Sequence, residues 1–264
     1  MASPSKRLFA FRRATLGRKV ALVVTALLIF SYPFPAASQE GKGADKPGIR
    51  VLIVTGQDYQ GHDWRATSRA LREILAQEPG VDARIVEDIE FLASEAIFDY
   101  SVVVIHFKNY GPPRREKAIY ENLQKFVEQG GGLLLTHFAC GAFEEWPGFV
   151  RLAGRVWDKN KRPHDPHGRF IVRIVDQAHP ITRGLKDFET VDELYTCLGG
   201  EEAITVLAIA RSVVDGQNYP MIFVREVGRG RVVHSALGHD PVAYQAEVYQ
   251  QILRRAVRWL ARQD

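Results

Sequence analysis

Residues 51–64, VLIVTGQDYQGHDW, decide the fold. Val51 to Val54 is an unbroken apolar run of strand length. Thr55 to Gly61 is polar and glycine-bearing, and residues 63 to 77 carry Leu71, Ile74 and Leu75 at helical spacing. A continuous apolar strand, a short loop and an amphipathic helix in that order open a βαβ unit, whose strand is covered on both faces.

The same alternation continues outward. Val81 to Val86 makes a second strand, and Ser101 to Ile105 a third. Pro112-Pro113 opens a helix through Val127 that Gly130-Gly131-Gly132 stops, and Leu133 to Thr136 is another buried strand. The middle third breaks the rhythm, with Pro147, Pro163 and Pro166 around a short helix expected at 148–154. Strands are expected at 169–176, 190–197, 203–210, 220–225 and 231–237. A closing helix over 241–262 turns Val248, Ile252, Val257 and Leu260 inward. The fold class is α/β, a doubly wound, mostly parallel sheet flanked by helices, formed by one domain over 50–264. No internal repeat interrupts it.

Ahead of that domain the chain has the three-part pattern of a secretory signal. Lys6, Arg7, Arg12, Arg13, Arg18 and Lys19 are basic, Val20 to Phe30 is apolar, and Ala36-Ala37-Ser38 offers small residues for cleavage. Residues 1–38 are expected to be a signal peptide and 39–49 a linker, so the domain is expected in the periplasm or outside the cell. The apolar run is short for a transmembrane helix, and a membrane association is expected only if the signal stays uncleaved. The leader holds 6 of the 35 basic residues and none of the 31 acidic ones, so 29 basic against 31 acidic residues leave the domain at −2. The basic character of the whole chain belongs to the leader, and nucleic acid is not an expected partner. A homo-oligomer is compatible with the sequence. Cys140 and Cys197 are the only cysteines, and their pairing is left open.

In open α/β sheets ligands bind beyond the carboxyl ends of the strands. His62 follows the first strand, His106 the third, His137 the Leu133 strand and His239 the last, so four of the eight histidines fall at equivalent edge positions. One histidine at a strand end is ordinarily a solvated or capping residue; four together suit acid/base chemistry or a metal. His234 lies within a strand and reads as a packed residue, and His179, before Pro180, as a turn residue. Cys140 sits in Phe138-Ala139-Cys140-Gly141-Ala142, which lacks the preceding glycine of a nucleophile elbow. Gly130 to Gly132 lacks a dinucleotide or phosphate fingerprint, so no nucleotide cofactor is expected.

Five segments, VTGQDYQGHDW (54–64), GGGLLLTHFACGAF (130–143) followed by Trp146-Pro147, HDPHGRF (164–170), HPITRGLKDF (179–188) followed by DELY (192–195), and GRGRVVHSALGHD (228–240), give the chain a family likeness in their order and spacing. From about residue 50 to the C-terminus it resembles the ThuA-like (trehalose utilisation) proteins, whose fold is similar to class I glutamine amidotransferases and flavodoxin. The resemblance implies carbohydrate catabolism, particularly of disaccharides oxidised at C3 to keto-sugars. Carried onto the motif positions, it marks His62, His137, His164, Glu193 and His239. The amidotransferase nucleophile does not carry over, because His137 and Phe138 occupy its turn.

The resulting expectation is an exported enzyme acting on a glycoside or 3-keto-sugar by isomerisation, elimination or hydrolysis. His62, His137, Glu193 and His239 are its candidate catalytic groups. Asp63, Lys108, His164, Tyr195 and Asp240 are candidate contacts to the carbohydrate. His106, His137 and His239 are candidate ligands of a divalent metal such as zinc. The alternative is a non-catalytic sugar-binding accessory protein working with a sugar oxidoreductase.

Overall fold

The computed structural model describes residues 48–58 and 60–264. The expected signal peptide, and the expected linker up to residue 47, lie outside the described residues. In chain order the elements are β1 Ile49–Val54, α1 Trp64–Ala76, β2 Val81–Val86, β3 Val102–Ile105, α2 Glu116–Glu128, β4 Gly132–Thr136, α3 Phe149–Ala153, β5 Val156–Trp157, β6 Gly168–Ile174, β7 Phe188–Asp192, β8 Leu198–Gly199, β9 Thr205–Arg211, β10 Asn218–Val227, β11 Gly230–Ser235 and α4 Glu247–Leu260. Nine strands form one sheet in the order β2-β1-β3-β4-β11-β10-β9-β6-β7, and β5 pairs with β8 in a separate small sheet.

The half of the large sheet from β2 to β11 is parallel, and β10, β9, β6 and β7 extend it antiparallel. The parallel strands sort their apolar side chains with a period of two. Val51, Ile53, Val102, Val104 and Leu134 face one layer with Leu71 and Leu75 of α1 and Ile252, Leu253 and Val257 of α4. Leu52, Val54, Val103, Ile105, Leu133 and Leu135 face the other, against Ile119, Leu123 and Phe126 of α2. Each such side chain contributes on the order of 1.5–3 kcal/mol when fully buried. Among the described residues no helix is long and apolar enough to cross a membrane.

Three boundaries differ most from the sequence pattern, each for a local polar reason. The α2 helix begins at Glu116, beyond the proline pair, because the carboxylate of Glu90 accepts the backbone N–H groups of Arg114 and Arg115 at 2.7 and 3.2 Å and caps the helix from a distant segment. Strand β7 ends at Asp192, whose own side chain accepts the N–H of Glu193 at 2.8 Å and turns the chain out of the sheet. The closing helix starts at Glu247, after a separate short turn over Ala243–Gln245 that follows Asp240, whose side chain accepts the N–H of Val242.

Candidate functional site

The carboxyl ends of β1, β4 and β11 meet at one edge, and the segment leaving β7 folds over them. His62 comes from the β1–α1 loop, which is held by Trp64 donating its indole N–H to Asp58 at 3.0 Å and by Asp63 capping α1 through the N–H of Ala66 at 3.0 Å. His137 is the first residue after β4 and has φ +45°, a left-handed conformation that disfavours a branched-out side chain and recurs where function demands it. His239 follows β11 after Gly238.

These three imidazoles and the carboxylate of Glu193 converge so that one ligand atom from each lies within 4.8 Å of the others. Glu193 Oε2 is 3.2 Å from His239 Nδ1 and 3.6 Å from His137 Nε2. The His62 ring centroid lies 4.9 Å from that of His137 and 4.7 Å from that of His239. His137 Nδ1 donates to the carbonyl of Ala236 at 2.9 Å, which fixes its tautomer and aims the Nε2 lone pair into the cluster. Tyr195, buried, donates its hydroxyl proton to that Nε2 at 2.9 Å.

Beneath the cluster lies Asp192, fully buried, whose Oδ1 accepts the N–H groups of Glu193 and His239 at 2.8 and 3.1 Å and whose Oδ2 accepts that of Gly238 at 2.7 Å. One carboxylate therefore locks two of the converging residues to each other. The sequence pattern points to Glu193 but not to Asp192. Its signal was an acidic residue at an inward position of β7, where the strand buries Phe188, Thr190 and Asp192 in alternation.

The charges in the site follow from this packing. Burial above all, with repulsion from His137 and His239, pushes His62 down to about 2. Burial pushes Glu193 up, but attraction to His137 and His239 outweighs it and holds the carboxyl well below its usual range. The hydrogen bond to Glu193 raises His239 against the effect of burial. Burial raises Asp192 and lifts the Tyr195 phenol well above its ordinary value, keeping the latter a neutral donor. An imidazole that resists protonation and a carboxylate that resists it equally are the donors a divalent cation takes, and the fixed His137 tautomer is the outer-shell arrangement typical of such ligands.

His106, expected among the metal ligands, lies apart. It is fully buried, with Nε2 at 2.8 Å from the Thr67 hydroxyl and Nδ1 at 2.7 Å from that of Thr136, so both ring nitrogens are engaged within the protein. Burial pushes it down to about 3. His164 stands at the rim with Nε2 3.6 Å from Glu193 Oε1, while Nδ1 donates to the Asp165 carbonyl. Asp240 pairs with His167 at 3.1 Å on the outer side of His239, and those three form a second, more exposed group with metal-ligand spacing. Asp63 serves as the helix cap described above. Lys108 lies 3.1 Å from Glu144 and over the Trp157 ring. Cys140 and Cys197 are buried free thiols, and burial raises both, Cys197 to about 12. A thiol so raised is a poor nucleophile. His234 packs against Phe223 within the core, as its strand position implied.

The family model for ThuA, described as trehalose utilisation, matches residues 50–260. The chain belongs to the ThuA family. That membership gives it a carbohydrate-related role. Among solved structures, a ThuA-like protein of Parabacteroides merdae is 24% identical, with 81% of this chain and 90% of that one covered and a TM-score of 0.70. A ThuA-like protein of Bacteroides uniformis is 20% identical, covering 86% and 95% of the two chains with a TM-score of 0.66. A β-galactosidase of Bacillus circulans sp. alkalophilus is 15% identical, with 80% of this chain but 31% of that enzyme covered and a TM-score of 0.54. At such identities these likenesses show the ThuA fold alone. No curated protein matches the chain by sequence.

Proposed function

We propose that this ThuA-family protein is an exported enzyme that acts on a glycoside or 3-keto-sugar at the His62, His137, Glu193 and His239 cluster, with one divalent metal, zinc or similar, held there. The observation that carries the proposal is the convergence of three imidazoles and one carboxylate from four separate segments, with ligand atoms within 4.8 Å of one another. Structural packing alone gives no reason to gather such groups, whereas a cation or a reacting carbonyl does. A bound metal supplies Lewis-acid polarisation of a carbonyl or hydroxyl oxygen.

The chain's own groups supply the rest. Tyr195 is a neutral hydroxyl donor beside His137, suited to give a proton to an oxygen on which charge develops. His164, half-buried and 3.6 Å from Glu193, is placed to pass a proton between the cluster and solvent. Asp192 positions Glu193 and His239 and touches no reactant. A carbonyl beside an acidic C–H makes elimination, isomerisation or epimerisation accessible to this set, with one base and one electrophile.

The test combines metal analysis with turnover. Purified protein should carry about one transition-metal equivalent, convert 3-keto-trehalose, lose both on chelation, and lose both in His137→Ala. Tight sugar binding with no turnover in any metal-loaded form would instead assign the protein to the accessory, non-catalytic class. The proposed export is checked by cell fractionation and by N-terminal sequencing of the mature protein, which should begin near Gln39.

A further inference from the structure

The edge that carries the histidine cluster receives more of the chain than the carboxyl ends of parallel strands. Strand β6 runs antiparallel to both its neighbours, β9 and β7, so its amino end lies where β7 leaves the sheet, with Gly168 in register with Asp192. His167, the residue before β6, is thereby brought to the same edge. His239 and Asp240 reach it from the end of β11. One ligand atom from each of His167, His239 and Asp240 lies within 4.8 Å of the others.

Three observations separate this group from an ordinary surface ion pair. The Asp240 carboxylate is fixed in place: its Oδ1 accepts the N–H groups of Val242 and Ala243 at 2.8 and 3.3 Å, which turns Oδ2 to His167 Nε2 at 3.1 Å. The His167 and Asp240 side chains are 38% and 31% exposed, and a pair so placed contributes about 0–1 kcal/mol, too little to account for a second imidazole beside it. That second imidazole is His239, whose ring is 5.1 Å from the His167 ring. Its Nδ1 is buried 3.2 Å from Glu193 Oε2, so Nε2 is the nitrogen left for the outer side. Calcium and magnesium take oxygen ligands, whereas two imidazoles and one carboxylate oxygen suit zinc, copper or nickel.

We infer that His167, Asp240 and His239 form a second divalent-cation site at the mouth of the cluster, joined to the inner site through the two ring nitrogens of His239. With both cations bound, His239 releases its ring proton to solvent and bridges them as imidazolate. Three protein donors leave the outer cation an open position for water or a substrate oxygen. This rests on the proposal that the inner cluster holds a metal, and adds that the centre is binuclear. The outer site, being the more exposed, fills on titration, while the inner one holds the equivalent that survives purification.

The experiment is titration of the metal-free full chain with zinc against a competing chelator, then with copper(II) followed by low-temperature EPR. Zinc should bind at about two equivalents per chain. Asp240→Asn keeps an amide oxygen for the Val242 and Ala243 N–H groups and replaces the ligand oxygen by NH2, so the fold is retained, which circular dichroism checks. It and His167→Ala should each bind about one equivalent, with affinity within about threefold of the tighter parent site. His62→Ala should weaken the inner site about tenfold or more and spare the outer one. In the copper-loaded parent the shared imidazolate couples the two spins, so the integrated signal should fall well below two spins per chain, and in His167→Ala it should match the single copper bound. A parent that binds one zinc or none overturns the site. So does a second equivalent that survives both outer substitutions, or a pair of copper ions with uncoupled signals. One equivalent with keto-sugar turnover removes the outer site and leaves the enzyme proposal standing. Two equivalents that respond to the substitutions, with no turnover of any keto-sugar, do the reverse.

Discussion

Replacing Asp192 by asparagine tests how the fold holds the site. The carboxylate accepts three backbone N–H groups, two on Oδ1 and one on Oδ2, and is fully buried. Asparagine is nearly isosteric, so packing is preserved. Its carbonyl oxygen can keep the bonds to Glu193 and His239, but its NH2 then faces the Gly238 N–H, donor against donor. One charge-assisted bond of about 1.5–3 kcal/mol is lost, and a buried donor is stranded. Part of that is returned because a neutral amide is cheaper to bury than a carboxylate. The expected net cost is about 2 kcal/mol, which for a domain of this length corresponds to a Tm drop of roughly 4–8 °C. Urea unfolding should show a lower midpoint at unchanged slope. Because the same bonds orient Glu193 and His239, zinc affinity measured against a competing chelator should fall by roughly 10–100-fold. Asp187→Asn is the control: Asp187 accepts the Ile174 N–H, away from the cluster, so it should cost stability without touching zinc. An Asp192→Asn protein with the stability and zinc affinity of the parent would refute the role given to this carboxylate.

Tyr195→Phe separates hydroxyl donor from ligand: the His137 Nε2 lone pair serves either the phenol or a metal, so removing the phenol should leave zinc affinity unchanged or up to about fivefold tighter, and a tenfold loss on competitive titration would contradict this. Gly238 has φ +121°, and an added Cβ would fall 2.5 Å from the Tyr244 hydroxyl, so Gly238→Ala should lower stability by about 2–3 kcal/mol in thermal unfolding and disturb the His239 position. His106 is held down to about 3 in the fold against about 6.5 in the unfolded chain. The unfolded state therefore binds the extra proton between pH 6.5 and 3, and stability falls as pH drops through that window. His106→Asn, though less stable at pH 7, should show a shallower decline between pH 7 and 5 in urea midpoints, and equal slopes would remove His106 as the source.

How much of this was legible beforehand depends on distance along the chain. The parallel strands announce themselves, because a strand covered on both faces needs an uninterrupted apolar run, as in Val51 to Val54 and Leu133 to Leu135. Strand-end histidines follow from that reading at once. What separates His106 from the other three is a pair of threonines, Thr67 and Thr136, from two other segments, and nothing local to His106 signals them. Glu193 reaches the cluster only because Asp192 turns the chain off the far edge of the sheet, an event that depends on N–H groups nearly fifty residues away.

Strand β11 is almost the last element synthesised, yet it takes the middle of the sheet between β4 and β10. The carbonyl of Ala236 that sets the His137 tautomer, two of the three N–H groups that Asp192 accepts, and His239 itself all arrive with it. Without that strand His62, His137 and Glu193 lack both the fourth donor and the Gly238 and His239 N–H groups that fix Asp192. Any C-terminal truncation that deletes β11 therefore leaves a sheet split at its centre and three ligands with no common focus.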